Sequence, residues 1–60
     1  MIVILLGTGF EEAEALVPAD LLRRAGIETA LTGVAGARVT GAHGVTVEAD
    51  LTLDAVDPAQ

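Results

Sequence analysis

The chain opens on a continuous apolar run, Ile2-Val3-Ile4-Leu5-Leu6, closed by Gly7-Thr8-Gly9. No other feature constrains the fold as strongly. The run is too short for a helix, carries β-branched residues and ends in glycine, which predicts a strand covered on both faces, as in a parallel sheet. A parallel neighbour requires a crossover, and the following residues supply one. From Glu11 to Ala25 the residues Ala13, Leu16, Val17, Leu21 and Ala25 recur at helical spacing and form the predicted apolar face. Carboxylates crowd the start of this segment and Arg23 and Arg24 its end, with Gly26 following as the C′ residue, so the charges suit the helix dipole. Ile27 to Leu31 then reads as a second strand, completing a right-handed βαβ unit.

Pro18 interrupts the helical pattern. Inside a helix starting at Glu11 it removes one N–H and crowds the carbonyl of Glu14, four residues back. The alternative is a helix starting at Val17, with Pro18 in its first turn and Glu11 to Glu14 in a loop. The apolar spacing runs through Pro18 unbroken and favours the longer helix. Beyond Gly33, Arg38-Val39-Thr40 and Val45-Thr46-Val47 flank Gly41-Ala42-His43-Gly44 and read as a β-hairpin or small ribbon. Asp50 to Val56 alternates at first. Thr52-Leu53-Asp54-Ala55 then offers an N-cap and a single helical turn, which Asp57-Pro58 ends.

Sixty residues make one domain at most, and such a domain buries only about 60% of the surface its unfolded chain exposes. With 52% hydrophobic residues and no cysteine, the chain needs something further to cover its apolar surplus. A net charge of -6 argues against nucleic acid and anionic lipid surfaces as partners. The apolar start lacks a basic n-region and falls far short of the ~20 residues that span a bilayer, so neither a signal peptide nor a membrane span is expected. The cytoplasm is the default compartment.

Gly7-Thr8-Gly9 between a strand and a helix invites comparison with dinucleotide-binding turns, but Glu12 stands where the third glycine belongs, and three carboxylates would repel a pyrophosphate. The glycines serve a tight strand-to-helix turn, and no cofactor is expected. Glu11 and Glu12 are accounted for by the helix dipole, at roughly 0.3–1 kcal/mol each. Glu14 differs. It sits at the border of the predicted apolar face and just beyond the carboxyl end of the first strand, where ligands of open α/β sheets bind. His43, in a glycine-bounded turn with no partner at metal-ligand spacing, reads as a surface or interface residue, and no metal site is expected.

The combination of G-x-x-E-E-x-E, Pro18, Asp20 and L-L-R-R-A-G-I, followed by V-T-G-A-H-G-V-T-V-E-A-D, resembles the N-terminal unit of the ThiJ/PfpI family, in its Parkinsonism-associated deglycase branch. The resemblance spans essentially the whole chain. It implies an α/β fold: the N-terminal βαβ-plus-β-ribbon portion of a flavodoxin-like three-layer α/β/α sandwich, usually as a homodimer. Residues 1–60 would then be part of a single domain whose remainder lies outside this chain. The family's site pairs a cysteine on a strand-to-helix elbow with a glutamate at the position matching Glu14, whose carboxyl hydrogen-bonds the thiolate. A buried carboxyl there leans towards its protonated form and can donate to a thiolate, whereas an exposed one cannot be expected to. With no cysteine among these residues, the nucleophile must come from elsewhere. The implied function is that of a cysteine-dependent enzyme acting on small reactive dicarbonyls, of glyoxalase or deglycase type. The alternative is a non-enzymatic dimeric stress-response or chaperone-like protein with a redox-sensing cysteine. Under the first reading Glu14 is the acid/base partner, Gly9 and Phe10 shape the substrate pocket, and Arg24 and His43 lie at or near a two-fold interface.

Overall fold

The computed structural model describes residues 1–57; Pro58, expected to help close the last turn, lies outside them. Ile2–Leu6 forms β1, Glu12–Arg24 forms α1 and Thr29–Gly33 forms β2. The ribbon strands are β3 (Arg38–Thr40) and β4 (Thr46–Glu48), followed by β5 (Leu51–Thr52) and a 3-10 turn over Leu53–Ala55. β1 and β2 run parallel with Ile2 opposite Thr29 and Leu6 opposite Gly33, and the crossover between them is α1. The βαβ unit expected from the sequence is therefore present. Its second strand lies two residues later than predicted because Gly26 and Ile27 are consumed in closing the helix. The Gly26 N–H bonds the Arg23 carbonyl and the Ile27 N–H the Leu22 carbonyl, both at 3.0 Å, which is a Schellman termination.

The helix is the longer of the two alternatives. Glu11 is its N-cap, with extended backbone and no capping bond from its own side chain, and Pro18 is accommodated in the interior. Its packed face differs from the predicted one. Ala19 is buried, and Glu12, Ala15, Leu16 and Leu22 are half-buried, at the i, i+3, i+4, i+7 spacing of one helical face. Of the five predicted core positions only Leu16 belongs to that face. Val17 is 54% and Leu21 59% exposed, with Ala13 and Ala25 exposed beside them. The helix has two apolar stripes, and its small residues, Ala15 and Ala19, allow the closer approach to the sheet. The Ala13-Val17-Leu21 stripe is left outward.

The sheet order is β1-β2-β5, with β5 parallel to β2 through Thr32–Leu51 and Gly33–Thr52. β2 is thus the inner strand, and its residues are buried or nearly so at all five positions. β1, expected to be covered on both faces, is covered only in part. Leu6 is completely buried, but Leu5 is 57% exposed and Ile2 exposed as well. Among the described residues β1 has one strand neighbour and the sheet one helical layer, and the assembly measures only 13 Å along its shortest axis.

Asp50 does the work of an additional sheet residue. Its N–H donates to the Leu31 carbonyl at 2.8 Å, and its carboxylate accepts the Leu31 N–H at 2.8 Å and the Arg23 guanidinium at 2.5 Å. Arg23 also donates to the Thr29 carbonyl at 3.0 Å. The sequence assigns Arg23 to the helix dipole; the tertiary structure makes it the tie between the end of α1, β2 and the approach to β5. The ribbon forms, its second strand one residue later than expected, with Arg38 opposite Glu48 and Thr40 opposite Thr46. An ion pair joins the first two at 2.9 Å and a hydroxyl–hydroxyl hydrogen bond the second two at 2.8 Å.

Candidate functional site

The carboxyl end of β1 turns into α1 through Gly7-Thr8-Gly9-Phe10. The Phe10 N–H donates to the Gly7 carbonyl at 3.1 Å, and Gly9 has φ 84°, the left-handed value a type II turn demands at its third position. A side chain at Gly9 would be strained whatever space surrounds it. The same turn is stitched to the ribbon. The Gly9 N–H donates to the Thr40 carbonyl at 2.9 Å, and the Ala42 N–H donates to the Phe10 carbonyl at 2.8 Å. Gly9 and Phe10, predicted to shape a pocket, therefore form a rung between the strand-to-helix turn and the ribbon turn; Gly9 is exposed and Phe10 half-buried.

Glu14 projects from the first turn of α1 and is exposed. It lies on the side of the helix away from the packed face, with Val17, Pro18 and Leu21. Among the described residues it accepts no hydrogen bond and has no ion-pair partner. The burial that would let its carboxyl act as a donor is thus not supplied by residues 1–57.

Glu12 is the carboxylate that is drawn inward. Its side chain is only 12% exposed. Oε2 accepts the N–H groups of His43 at 2.9 Å and Val45 at 3.1 Å, and Oε1 lies 3.0 Å from His43 Nδ1. Burial pushes its carboxyl up, but hydrogen bonds from its own amide, the His43 ring and the Val45 and His43 amides outweigh this and hold it at about 2, against an ordinary 4.5. His43 is raised above its usual 6.5, first by the hydrogen bond to Glu12, then by the charges of Glu11 and Glu12, with a smaller opposing effect of burial. Gly41 permits this approach, since a Cβ there would collide with the Glu12 carboxyl group. Assigning Glu12 to the helix dipole alone therefore missed its main contacts. No spacing signal marks a pair 31 residues apart; the only sequence hint is a lone histidine beside glycines in an acidic chain.

Glu11 completes a small cluster, with Oε2 at 3.7 Å from His43 Nδ1. One donor atom each from Glu11, Glu12 and His43 falls within 4.8 Å of the others, a spacing that can accommodate a metal ion. The hydrogen bonds already satisfy both Glu12 oxygens without one. His43 is otherwise open, its side chain 72% exposed. Arg24, 75% exposed, pairs with Asp20 at 2.9 Å one turn back. The two predicted interface residues thus stand at opposite ends of α1, His43 against its first residue and Arg24 at its last, with Val17 and Leu21 exposed between them. A separate cleft of about 540 Å³ lies at the carboxyl ends of β2 and β5, lined by Val34, Ala35, Gly36, Thr52, Leu53 and Asp54. Neither Glu14 nor Phe10 lines it. Among the described residues no helix is long and apolar enough to cross a membrane.

The βαβ-plus-ribbon arrangement has close counterparts among solved structures. It superposes with a TM-score of 0.85 and 41% identity on STM1931 of Salmonella typhimurium, a DJ-1 superfamily protein determined as a mutant with one cysteine replaced by alanine; the match covers 88% of this chain and 29% of that one. It superposes on the VC2308 protein with a TM-score of 0.86 and 33% identity, over 93% of this chain and 29% of that one. In sequence it is 37% identical to the deglycase TK1284 of Thermococcus kodakarensis, over 95% of this chain and 34% of the relative. The deglycase PH1704 of Pyrococcus horikoshii is 32% identical over 98% of this chain and 36% of its own length. The chain thus spans about a third of the length of these relatives. The DJ-1/PfpI family model matches residues 1–60 throughout, and together with the parallel βαβ unit and its ribbon this makes the chain a member of the DJ-1/PfpI family.

Proposed function

We propose that residues 1–60 are the N-terminal part of a single flavodoxin-like domain that acts as a cysteine-dependent enzyme on small reactive dicarbonyls, with Glu14 as the acid/base partner of the cysteine. The observation that carries this reading is the placement of Glu14, exposed and unpartnered among the described residues, on the first helical turn after the carboxyl end of β1. Support comes from the two deglycase-named relatives and from a solved relative in which a cysteine was chosen for replacement. In the proposed chemistry the thiolate adds to an aldehyde carbonyl. A C–S bond forms, the C=O π bond opens, and the resulting alkoxide takes up a proton. Glu14, once covered, holds the proton that hydrogen-bonds the thiolate beforehand and can relay one afterwards. Its cover would come from the remainder of the domain or from the second subunit of a cytoplasmic homodimer.

Turnover of methylglyoxal by the full-length protein tests the reading. Glu14→Gln should leave the fold intact and reduce turnover by about 100-fold or more, the range expected for losing a positioned acid/base group. Glu11→Gln, which alters an exposed N-cap side chain, should stay near wild type. Equal effects of the two substitutions would remove the special role of Glu14. A folded protein that lacks turnover yet oxidises at one cysteine would support the redox-sensor alternative.

A further inference from the structure

We infer that Glu12 is a positioning residue for this site: its carboxylate clamps the ribbon turn against the first turn of α1 and thereby sets where Phe10 stands relative to Glu14. The inference rests on the reading of Glu14 given above. Three segments are joined here: the first turn of α1, the ribbon and the strand-to-helix turn, and hydrogen bonds tie the ribbon to each of the other two. Within α1, Glu12 is two residues from Glu14 on the same helical turn. Across the fold, its Oε2 takes two backbone N–H groups of the ribbon turn, His43 and Val45, while Oε1 takes the imidazole. The ribbon in turn holds the strand-to-helix turn through the Gly9 N–H to the Thr40 carbonyl and the Ala42 N–H to the Phe10 carbonyl. The loop of contacts closes on Phe10, two residues before Glu12.

The chemistry of the clamp explains why this position suits a glutamate. Two amides and a ring nitrogen converge on one side chain, and an ionised carboxylate offers only acceptors to them. Glu11 is the N-cap and makes no capping bond. Glu14 points to the open side of the helix. Among the described residues Glu12 alone of the three carboxylates accepts backbone N–H groups of the ribbon turn, and Gly41 leaves the room it occupies. Without the clamp, the ties left among the described residues between the ribbon turn and the start of α1 are the Ala42–Phe10 and Gly9–Thr40 backbone bonds and the longer Glu11–His43 pair, and a displacement of about 1 Å at a reacting site can cost 100-fold in rate.

The test uses the full-length protein, with methylglyoxal as the kinetic probe and amide hydrogen exchange as a readout independent of turnover. Glu12→Ala should accelerate exchange at the His43 and Val45 amides by about tenfold or more and lower kcat by a similar factor, because the substitution misplaces the site without removing a reacting group. Glu12→Gln keeps an acceptor for the two amides and should stay within several-fold of wild type in both. Should Glu12→Ala fail to fold, Gly41→Ala serves instead: the added methyl displaces the carboxylate with Glu12 still present, and the same paired losses are expected. Faster exchange with unchanged kcat would overturn the inference, as would protection that survives removal of the carboxylate. Wild-type turnover in Glu14→Gln would instead sink the reading of Glu14, whatever the Glu12 variants do.

Discussion

The Glu12–His43 pair titrates in opposite senses at its two ends, which makes the clamp dependent on pH. Glu12 is depressed to about 2 in the folded chain, so its contribution to stability is complete above its ordinary value of 4.5 and is lost as pH falls through the folded value. His43 is raised, so its contribution is complete below 6.5 and is lost as pH rises through its elevated folded value. Both contributions are therefore at full strength between 4.5 and 6.5. Protection of the Val45 amide, corrected for the intrinsic pH dependence of exchange, should be greatest in that window and decline on either side. His43→Ala should abolish the alkaline decline and keep the acid one. A profile identical in wild type and His43→Ala would show that the imidazole does not contribute.

Among the elements, the inner strand β2 holds a vulnerability of its own. Thr32 is fully buried between Leu5 of β1 and Leu51 of β5, and its hydroxyl has no partner among the described residues. An unsatisfied buried hydroxyl costs about 1–3 kcal/mol, so Thr32→Val should leave the β propensity unchanged and raise stability by about 1 kcal/mol in denaturant titration. A loss of stability would mean that the hydroxyl is bonded by a group outside residues 1–57. One residue later, a Cβ at Gly33 would run into the Gly36 backbone carbonyl. No side-chain rearrangement relieves that overlap, so Gly33→Ala should be far more damaging than the change at Thr32. In α1 the distinction is between the two apolar stripes. The Ala15–Ala19 stripe packs on the sheet, while Val17 and Leu21 remain for another surface.

At the scale of the whole molecule, the exposed stripe and the half-open β1 lead to two expectations. A two-fold interface that includes both Arg24 and His43 would extend along α1, on which Val17 and Leu21 are exposed apolar residues it could cover. His43 is engaged with Glu12, so changing it would disturb the clamp as well as the surface. Val17→Glu with Arg24→Glu is the cleaner probe, and in sedimentation it should shift the full-length protein from dimer towards monomer. An unchanged dimer would place the interface elsewhere. Separately, β1 with one neighbour presents an apolar, unpaired strand edge, a known route to aggregation. Residues 1–60 expressed alone should be disordered or aggregated. A cooperative thermal transition from a monomeric 60-mer would defeat that expectation and weaken the view that Glu14 awaits cover.

The sequence by itself determined the order of elements from β1 through the ribbon, though not β5, because apolar run length, helical spacing, the glycine after the helix and the glycine-bounded ribbon turn are local signals with local causes. It also carried the family resemblance, through residues that recur at fixed spacing along the chain. It did not determine which stripe of α1 packs. Ala13-Val17-Leu21 and Ala15-Leu16-Ala19 both satisfy helical periodicity, and only contact with the sheet selects between them. The sequence set Glu14 apart by position but could not separate Glu11 from Glu12, two carboxylates at one helix start whose dipole argument is identical. The three differ in what faces them across the fold: the ribbon turn for Glu12, His43 at longer range for Glu11, and open surface for Glu14. Pairing of that kind depends on where a turn 31 residues away is brought by the strands that carry it, and tertiary structure alone decides it.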